Sequence, residues 1–135
     1  MRACLLALIS IASLNVCAAD DAIQVTLDGR WSGTAPDGTK ISYEFDRAGA
    51  VTWFVAEPNF KQAFPQGLHG KYSIRVGAAP WQMDIGSFDD PRFKGVTFQG
   101  IVEIIDAQSF RFEGRPDQRI DKFSKEAVVF RAESK

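Results

Sequence analysis

Side chains that could carry out catalysis or bind a metal are scarce in this sequence. It has one histidine, His69, and its two cysteines, Cys4 and Cys17, both lie before residue 20. A zinc site would need three carboxylates beside His69, which is not how protein zinc sites are usually composed. We therefore interpret His69 as a surface residue at the start of a strand, and we predict no metal site and no cofactor.

Short motifs that mark known reactions are also missing. The sequence has no GxSxG, HExxH or Walker-type segment, the patterns of a serine nucleophile, a zinc protease and a phosphate loop. The segment 89–91 lacks the spaced oxygen ligands of a calcium loop and is predicted to be a turn. Arg111, Arg115 and Arg119 could surround a ligand carboxylate, although the last two lie in what first reads as a polar loop. We predict that the chain is not an enzyme.

The first 19 residues have the features of a secretory signal peptide. Arg2 precedes an apolar run that ends at Val16, and small residues follow it. The run is shorter than the roughly 20 residues that a membrane span requires. We therefore predict a signal peptide at 1–19, a mature domain at 20–135, no transmembrane segment, and a periplasmic or secreted location. A lipid anchor on Cys17 is the less favoured alternative, because lipoprotein signals usually carry a small residue where Val16 stands.

Length and charge limit the remaining possibilities. The chain has 135 residues, which corresponds to one domain, with 16 Lys and Arg against 17 Asp and Glu. No basic run is interleaved with aromatic residues, so no nucleic-acid partner is predicted.

Alternation of apolar and polar residues predicts about eight β-strands joined mostly by short turns. Consecutive hairpins without long crossovers favour an all-β, antiparallel up-and-down barrel, because closure removes exposed edge strands. The predicted strands are 23–33, 40–46, 51–55, 71–76, 81–85, 95–105, 109–113 and 127–132.

One connection differs from the short turns. Between Glu57 and Gly67, Phe60 and Phe64 are four residues apart and Pro65 follows them, a pattern typical of one short helical turn. The two rings either plug one end of the barrel or form a mobile lid over a portal.

The predicted interior is apolar and rich in aromatic residues. A barrel of eight strands is just wide enough to be filled by its own side chains or to hold one small molecule. The density of rings favours a filled core or a narrow pocket at one end. The inward set is Val25, Leu27, Trp31, Tyr43, Phe45, Val51, Trp53, Tyr72, Ile74, Trp81, Met83, Ile85, Phe98, Val102, Ile104, Phe110, Phe112, Val128 and Phe130. The predicted ligand-binding residues are Trp53, Phe60, Phe64, Tyr72, Trp81 and Arg111.

Several short motifs resemble those of the lipocalin-like superfamily. Gly29-Arg30-Trp31 opens the first strand, Gly70-Lys71-Tyr72 and Arg115-Pro116 follow, and Arg131 lies in the last strand. The pattern is most similar to the small bacterial lipocalin-like domains abundant in planctomycetes. The resemblance implies that Gly29, Trp31 and Arg131 close one barrel end, with the arginine lying across the tryptophan in a cation–π contact.

Two functions follow from these expectations. The first is an exported binding protein that holds a small apolar or amphipathic molecule at the barrel mouth. The alternative is a periplasmic protein-binding module or inhibitor with a filled barrel, whose loops recognise an envelope protein.

Overall fold

The computed structural model describes residues 27–77 and 79–133, and these form a closed antiparallel barrel. The predicted signal peptide, the alternative anchor at Cys17 and the inward Val25 lie outside the described residues. The strands are β1 Gly29–Thr34, β2 Lys40–Phe45, β3 Ala50–Val55, β4 Leu68–Arg75, β5 Trp81–Gly86, β6 Phe98–Asp106, β7 Ser109–Arg115 and β8 Val128–Ala132. The predicted all-β barrel of about eight strands is therefore confirmed.

Each strand pairs with the next in sequence, and β1 pairs with β8 to close the barrel. In that last pairing Trp31 lies opposite Ala132, and Gly33 lies opposite Phe130. An added Cβ at Gly33 would lie 2.5 Å from the Val129 carbonyl oxygen, so the seam needs a residue without a side chain at this position. The up-and-down order is compatible with a lipocalin-like fold.

The two ends of the barrel differ in the length of their connections. At the end that we call the closed end, tight turns join β2 to β3 and β6 to β7, and the connection between β4 and β5 is only five residues long. The Asp46 carboxylate accepts hydrogen bonds from the backbone N–H groups of Ala48 and Ala50 in the first of these turns, and Gly49 adopts a positive φ of 96°. At the opposite end, the mouth end, the longer segments 56–67, 87–97 and 116–127 connect the strands.

Two of the longer connections contain short helices. The α-helix α1 spans Pro58–Ala63 and confirms the predicted helical turn, and a 3-10 helix spans Pro91–Phe93. The prediction that β6 begins at Gly95 is wrong. Gly95 has a φ of 79°, which interrupts the extended backbone, and β6 begins only at Phe98.

The core consists of inward-facing residues of all eight strands together with Leu27, which precedes β1, and Phe88, in the segment 87–97. Its buried members are Leu27, Trp31, Tyr43, Phe45, Val51, Leu68, Tyr72, Met83, Ile85, Phe88, Val102, Phe110, Phe112, Val128 and Phe130. The Trp31 indole N–H donates to the Leu27 carbonyl oxygen at 2.8 Å, and its ring meets Phe110 edge-on at 5.1 Å.

The predicted contact between Trp31 and Arg131 is wrong. Successive residues of a strand face opposite sides of a sheet, and Arg131 stands between the buried Phe130 and the half-buried Ala132. Its side chain is therefore exposed on the outer face, whereas Trp31 points inward. Gly29 begins β1 with a φ of 112°, opposite Phe45.

Within the described residues, no helix has the length and apolar character needed to cross a membrane.

Candidate functional site

A cavity of about 560 Å³ opens at the mouth end between the β2–β3 and β6–β8 walls. This volume lies within the range of small-molecule sites in proteins. Its apolar lining comes from the inward faces of five strands and from the β1–β2 turn. The apolar residues that line this mouth cavity are Ala35, Pro36, Ile41, Tyr43, Trp53, Phe98, Phe112, Val128 and Phe130.

Tyr43 and Trp53 form one wall of the mouth cavity. They lie directly opposite each other on β2 and β3, and their rings are within 20° of parallel with centroids 6.5 Å apart. Burial raises the pKa of the Tyr43 hydroxyl far above its ordinary value, so the group stays protonated and can donate a hydrogen bond. The Trp53 indole nitrogen is buried and has no hydrogen-bond partner among the described residues.

Close contact between β6 and β7 shapes the opposite wall. Gly100 and Gly114 pair across these strands, and the Phe112 ring packs against both of them. An added Cβ at Gly114 would lie 2.9 Å from the Phe112 ring. These glycines therefore give the Phe112 ring the room to pack directly against the sheet.

A cluster of four rings, Phe60, Phe64, Phe88 and Phe93, packs beside Trp53; we call it the aromatic cap. Phe60 contacts the Trp53 ring edge-on at 5.3 Å, and Phe64 contacts Phe93 at 6.0 Å. The Arg92 guanidinium lies 4.7 Å from the Phe64 ring centroid and joins the two helical segments. The aromatic cap therefore covers the β3 side of the mouth end without filling the mouth cavity.

The charged residues of the rim are held by the connection 116–127, which we call the strap. Glu113 is only 4% exposed and accepts hydrogen bonds from Arg115 at 2.8 Å and from the Ser124 hydroxyl and N–H at 2.7 and 2.8 Å. Burial alone would raise the pKa of Glu113, but these hydrogen bonds outweigh it and lower the pKa. Glu113 is therefore an ionised residue that fixes the strap to β7.

A second contact fixes the strap to the outer face of the barrel. The Arg119 guanidinium binds both carboxylate oxygens of Asp84, at 2.6 and 3.0 Å, and also donates to the Gly100 carbonyl oxygen. Ile101 faces outward in the same region, yet it is buried. The strap is bonded to Gly100 and Glu113, which adjoin Ile101 along β6 and across β7, and it accounts for this burial.

The predicted ligand-binding residues do not form one site. Trp53 lines the mouth cavity, whereas Phe60, which contacts the Trp53 ring, and Phe64 line a separate groove of about 680 Å³. Tyr72 belongs to the closed end, where its hydroxyl donates to the Asp46 carbonyl oxygen at 2.8 Å. Trp81 lines a separate groove of about 540 Å³ beside Pro80 and Phe123.

The arginines do not converge on a shared anion. Arg111 lies on the outer face of β7, pairs with Glu103 at 2.5 Å and stacks over Phe123 at 4.7 Å. Arg115 and Arg119 are paired with Glu113 and Asp84 as described above. Each guanidinium thus has its own carboxylate within the protein.

No family model and no curated protein matches the chain. Its function is therefore inferred from the geometry of the mouth cavity.

Sequence reasoning missed two kinds of residue at the mouth end. Phe88 and Phe93 were not assigned to any site, although their positions on either side of the segment 89–91 place both rings in one loop. Tyr43 was assigned to the core but not to the ligand site. The signal that could have found it is its register with Trp53, which follows from the turn at 46–49.

Proposed function

We propose that this chain is an exported lipocalin-like binding protein, not an enzyme, whose mouth cavity takes up one small apolar or amphipathic molecule. The observation that carries the proposal is the contrast between a filled closed end and a mouth end that retains about 560 Å³ of aromatic-lined space. Open barrel mouths with apolar walls and a few polar groups are common sites for small ligands. The short motifs that begin with Gly29-Arg30-Trp31 support a further grouping with the small bacterial lipocalin-like domains.

Fluorescent N-phenyl-1-naphthylamine, which brightens in apolar surroundings, can test uptake by the mouth cavity. We expect the wild-type protein to bind one equivalent. Ala35→Phe places a ring at a position that lines the cavity and should weaken binding about tenfold or more, which corresponds to about 1.4 kcal/mol. Thr34→Phe adds the same ring at the exposed neighbouring position and is the matched control.

Far-ultraviolet circular dichroism must show that both variants keep the β fold. Equal weakening by the two substitutions would place the probe elsewhere on the surface and contradict the proposal. Absence of uptake by the wild-type protein would also contradict it, and would favour the alternative of a protein-binding module that recognises an envelope protein through its loops.

A further inference from the structure

A second concave surface lies outside the barrel, beside β1, β2, β3 and α1. It has a volume of about 680 Å³, and we call it the outer groove. Most of its strand residues face outward, because they alternate along each strand with residues of the interior. The outer groove shares no lining residue with the mouth cavity, so the two are distinct sites. Its lining includes Arg30, Lys40, Phe54, Phe60, Lys61 and Phe64.

Three aromatic rings give the outer groove an apolar surface. Phe54 packs against the turn that follows α1, since an added Cβ at Gly67 would lie 2.8 Å from its ring. The Arg30 guanidinium lies 4.2 Å from the centroid of the same ring. Phe60 and Phe64 pack against each other with ring centroids 5.0 Å apart. All three phenylalanines are only half-buried, so a bound molecule with an apolar body would cover ring surface that is otherwise in contact with water.

The outer groove also carries an excess of positive charge. Arg30, Lys40 and Lys61 line it, against the single carboxylate of Glu133. That carboxylate is already engaged, because it pairs with Arg30 at 3.3 Å and accepts a hydrogen bond from the Ser32 hydroxyl. In the part of the chain that the structure describes, every ion pair involves an arginine, so neither lysine has a carboxylate partner there. The groove is thus a cationic patch on a chain whose net charge is -1.

The mouth cavity has the opposite balance of charge. Its charged lining residues are Glu113, Glu126 and one cation, Arg115, which already donates to Glu113 at 2.8 Å. Like charges repel, and a cleft lined by one sign of charge attracts ligands of the other sign. An anion is therefore favoured in the outer groove and disfavoured in the mouth cavity.

We propose that the outer groove binds an amphipathic anion, whose acidic head group lies near Lys40 and Lys61 and whose apolar body covers the rings of Phe54, Phe60 and Phe64. The volume of the groove is that of a site for one small molecule, and its concave shape suits a free molecule better than the flat surface of a membrane. This inference goes beyond the proposed function, because it adds a second site whose ligand has a charge.

Two fluorescent probes with the same aromatic body separate the two sites. The anionic probe, 8-anilinonaphthalene-1-sulfonate, is N-phenyl-1-naphthylamine with an added sulfonate group. We expect the full chain to bind the anionic probe, and we expect the affinity to fall when NaCl is raised from about 0.05 to about 0.5 M, because salt screens exposed charges. Binding of the neutral probe should not weaken in salt.

Replacing both Lys40 and Lys61 by glutamine tests the head-group contact. This change should weaken binding of the anionic probe about fivefold, the size expected of two exposed ion contacts, and should leave binding of the neutral probe unchanged. The matched control replaces Lys71 and Lys94 by glutamine, since both are exposed and neither lines the groove. Glu133→Gln removes the one carboxylate of the groove and should strengthen binding of the anionic probe about twofold.

Ala35→Phe, which narrows the mouth cavity, should leave binding of the anionic probe unchanged. Absence of that binding in the wild type, binding that does not respond to salt, or equal weakening by the two lysine pairs would overturn the inference. An equal loss in Ala35→Phe would also overturn it, because the probe would then occupy the mouth cavity. Lysine-dependent binding to phosphatidylglycerol vesicles but not to the free probe would assign the surface to a membrane and overturn it too. Uptake of the neutral probe by the wild type tests the proposed function separately, and the salt dependence of the wild type decides even where a variant does not fold.

Discussion

The two ends of the barrel each contain a tryptophan and a tyrosine, and they treat the polar atoms of these residues differently. At the closed end, Trp31 and Tyr72 donate to backbone carbonyl oxygens. At the mouth end, Trp53 and Tyr43 line the mouth cavity, and the buried Trp53 indole nitrogen has no hydrogen-bond partner among the described residues. A buried donor without a partner costs about 1–3 kcal/mol. The polar atoms of Trp31 and Tyr72 at the closed end are thus satisfied within the protein, while the mouth end carries the cost of the unpartnered Trp53 N–H.

Packing follows the same division. The rings of Trp31 and Phe110 at the closed end are almost completely buried, whereas those of Trp53, Phe60, Phe64 and Phe93 are only partly buried. Tight turns hold the first group, and long connections carry most of the second. Binding residues are often found on long connections held by a rigid frame. We therefore assign stability mainly to the closed end and binding to the mouth end.

The largest expected effect tests this assignment of stability. Trp31→Ala should lower the free energy of unfolding by about 3–5 kcal/mol, because it leaves a large cavity among fully buried rings. Trp53→Ala removes the same side chain from a partly exposed position, so its cost should be clearly smaller. Urea unfolding followed by circular dichroism measures both. Equal losses in the free energy of unfolding would contradict the assignment of stability mainly to the closed end.

The aromatic cap gives the next effect. Replacing Phe60 and Phe64 together by serine should cost about 2 kcal/mol, since each ring loses only partial burial. Release of N-phenyl-1-naphthylamine should become faster in stopped-flow measurements, as expected of a lid. Gln62→Ser, an exposed change in the same helix, is the control. A loss above about 4 kcal/mol, comparable to that of a buried aromatic residue, with unchanged release would instead make the rings a plug.

Strand alternation was sufficient to predict the barrel. Side chains two residues apart share a face, so Ile41, Tyr43 and Phe45 indicated both a strand and its buried side. The order of strands followed from the turns between them, which are local in sequence. The same rule also excludes a contact between Arg131 and Trp31, and only the resemblance to lipocalin-like proteins had suggested one.

Features that depend on distant segments could not be predicted. The burial of Glu113 requires Ser124 of the strap to fold back onto β7, and no local pattern encodes that return. The grouping of Tyr72, Trp81 and Arg111 with Trp53 failed for a related reason. Aromatic character alone does not say at which end, or on which face, of a barrel a residue lies.

The strap supplies a smaller effect that depends on pH. The pKa of Glu113 is lowered in the folded protein from its ordinary value of 4.5. Its ionised form therefore stabilises the fold fully above about pH 4.5, and this contribution is lost as the pH falls through the lowered pKa. Glu113→Gln should cost about 1–2 kcal/mol at pH 7, and its difference from the wild type should shrink in acid.

Urea unfolding between pH 7 and pH 3 measures this difference, with Glu44→Gln on the exposed face of β2 as the control. Amide exchange locates the change. The Ser124 N–H, which donates to Glu113, should lose protection in acid before the β1 amides do. A constant difference across this pH range would show that the Glu113 charge does not hold the strap, and the mouth end would then not be the acid-sensitive one.

The smallest effect sharpens the description of the closed end. Arg131→Ala should change the free energy of unfolding by no more than about 0.5 kcal/mol, the usual size of a surface substitution, because its side chain is exposed on the outer face of β8. In a double-mutant cycle with Trp31→Ala, the coupling energy should be near zero, since residues that share no contact act additively. Urea unfolding of the four proteins gives this value.

A coupling of about 1 kcal/mol or more would be the size of a cation–π contact. It would mean that the guanidinium reaches the indole, and that the barrel closes here as the resemblance implies. Near-additivity would leave Leu27 and Phe110 as the groups that fix Trp31, so that closure of this end comes from the interior of the barrel alone.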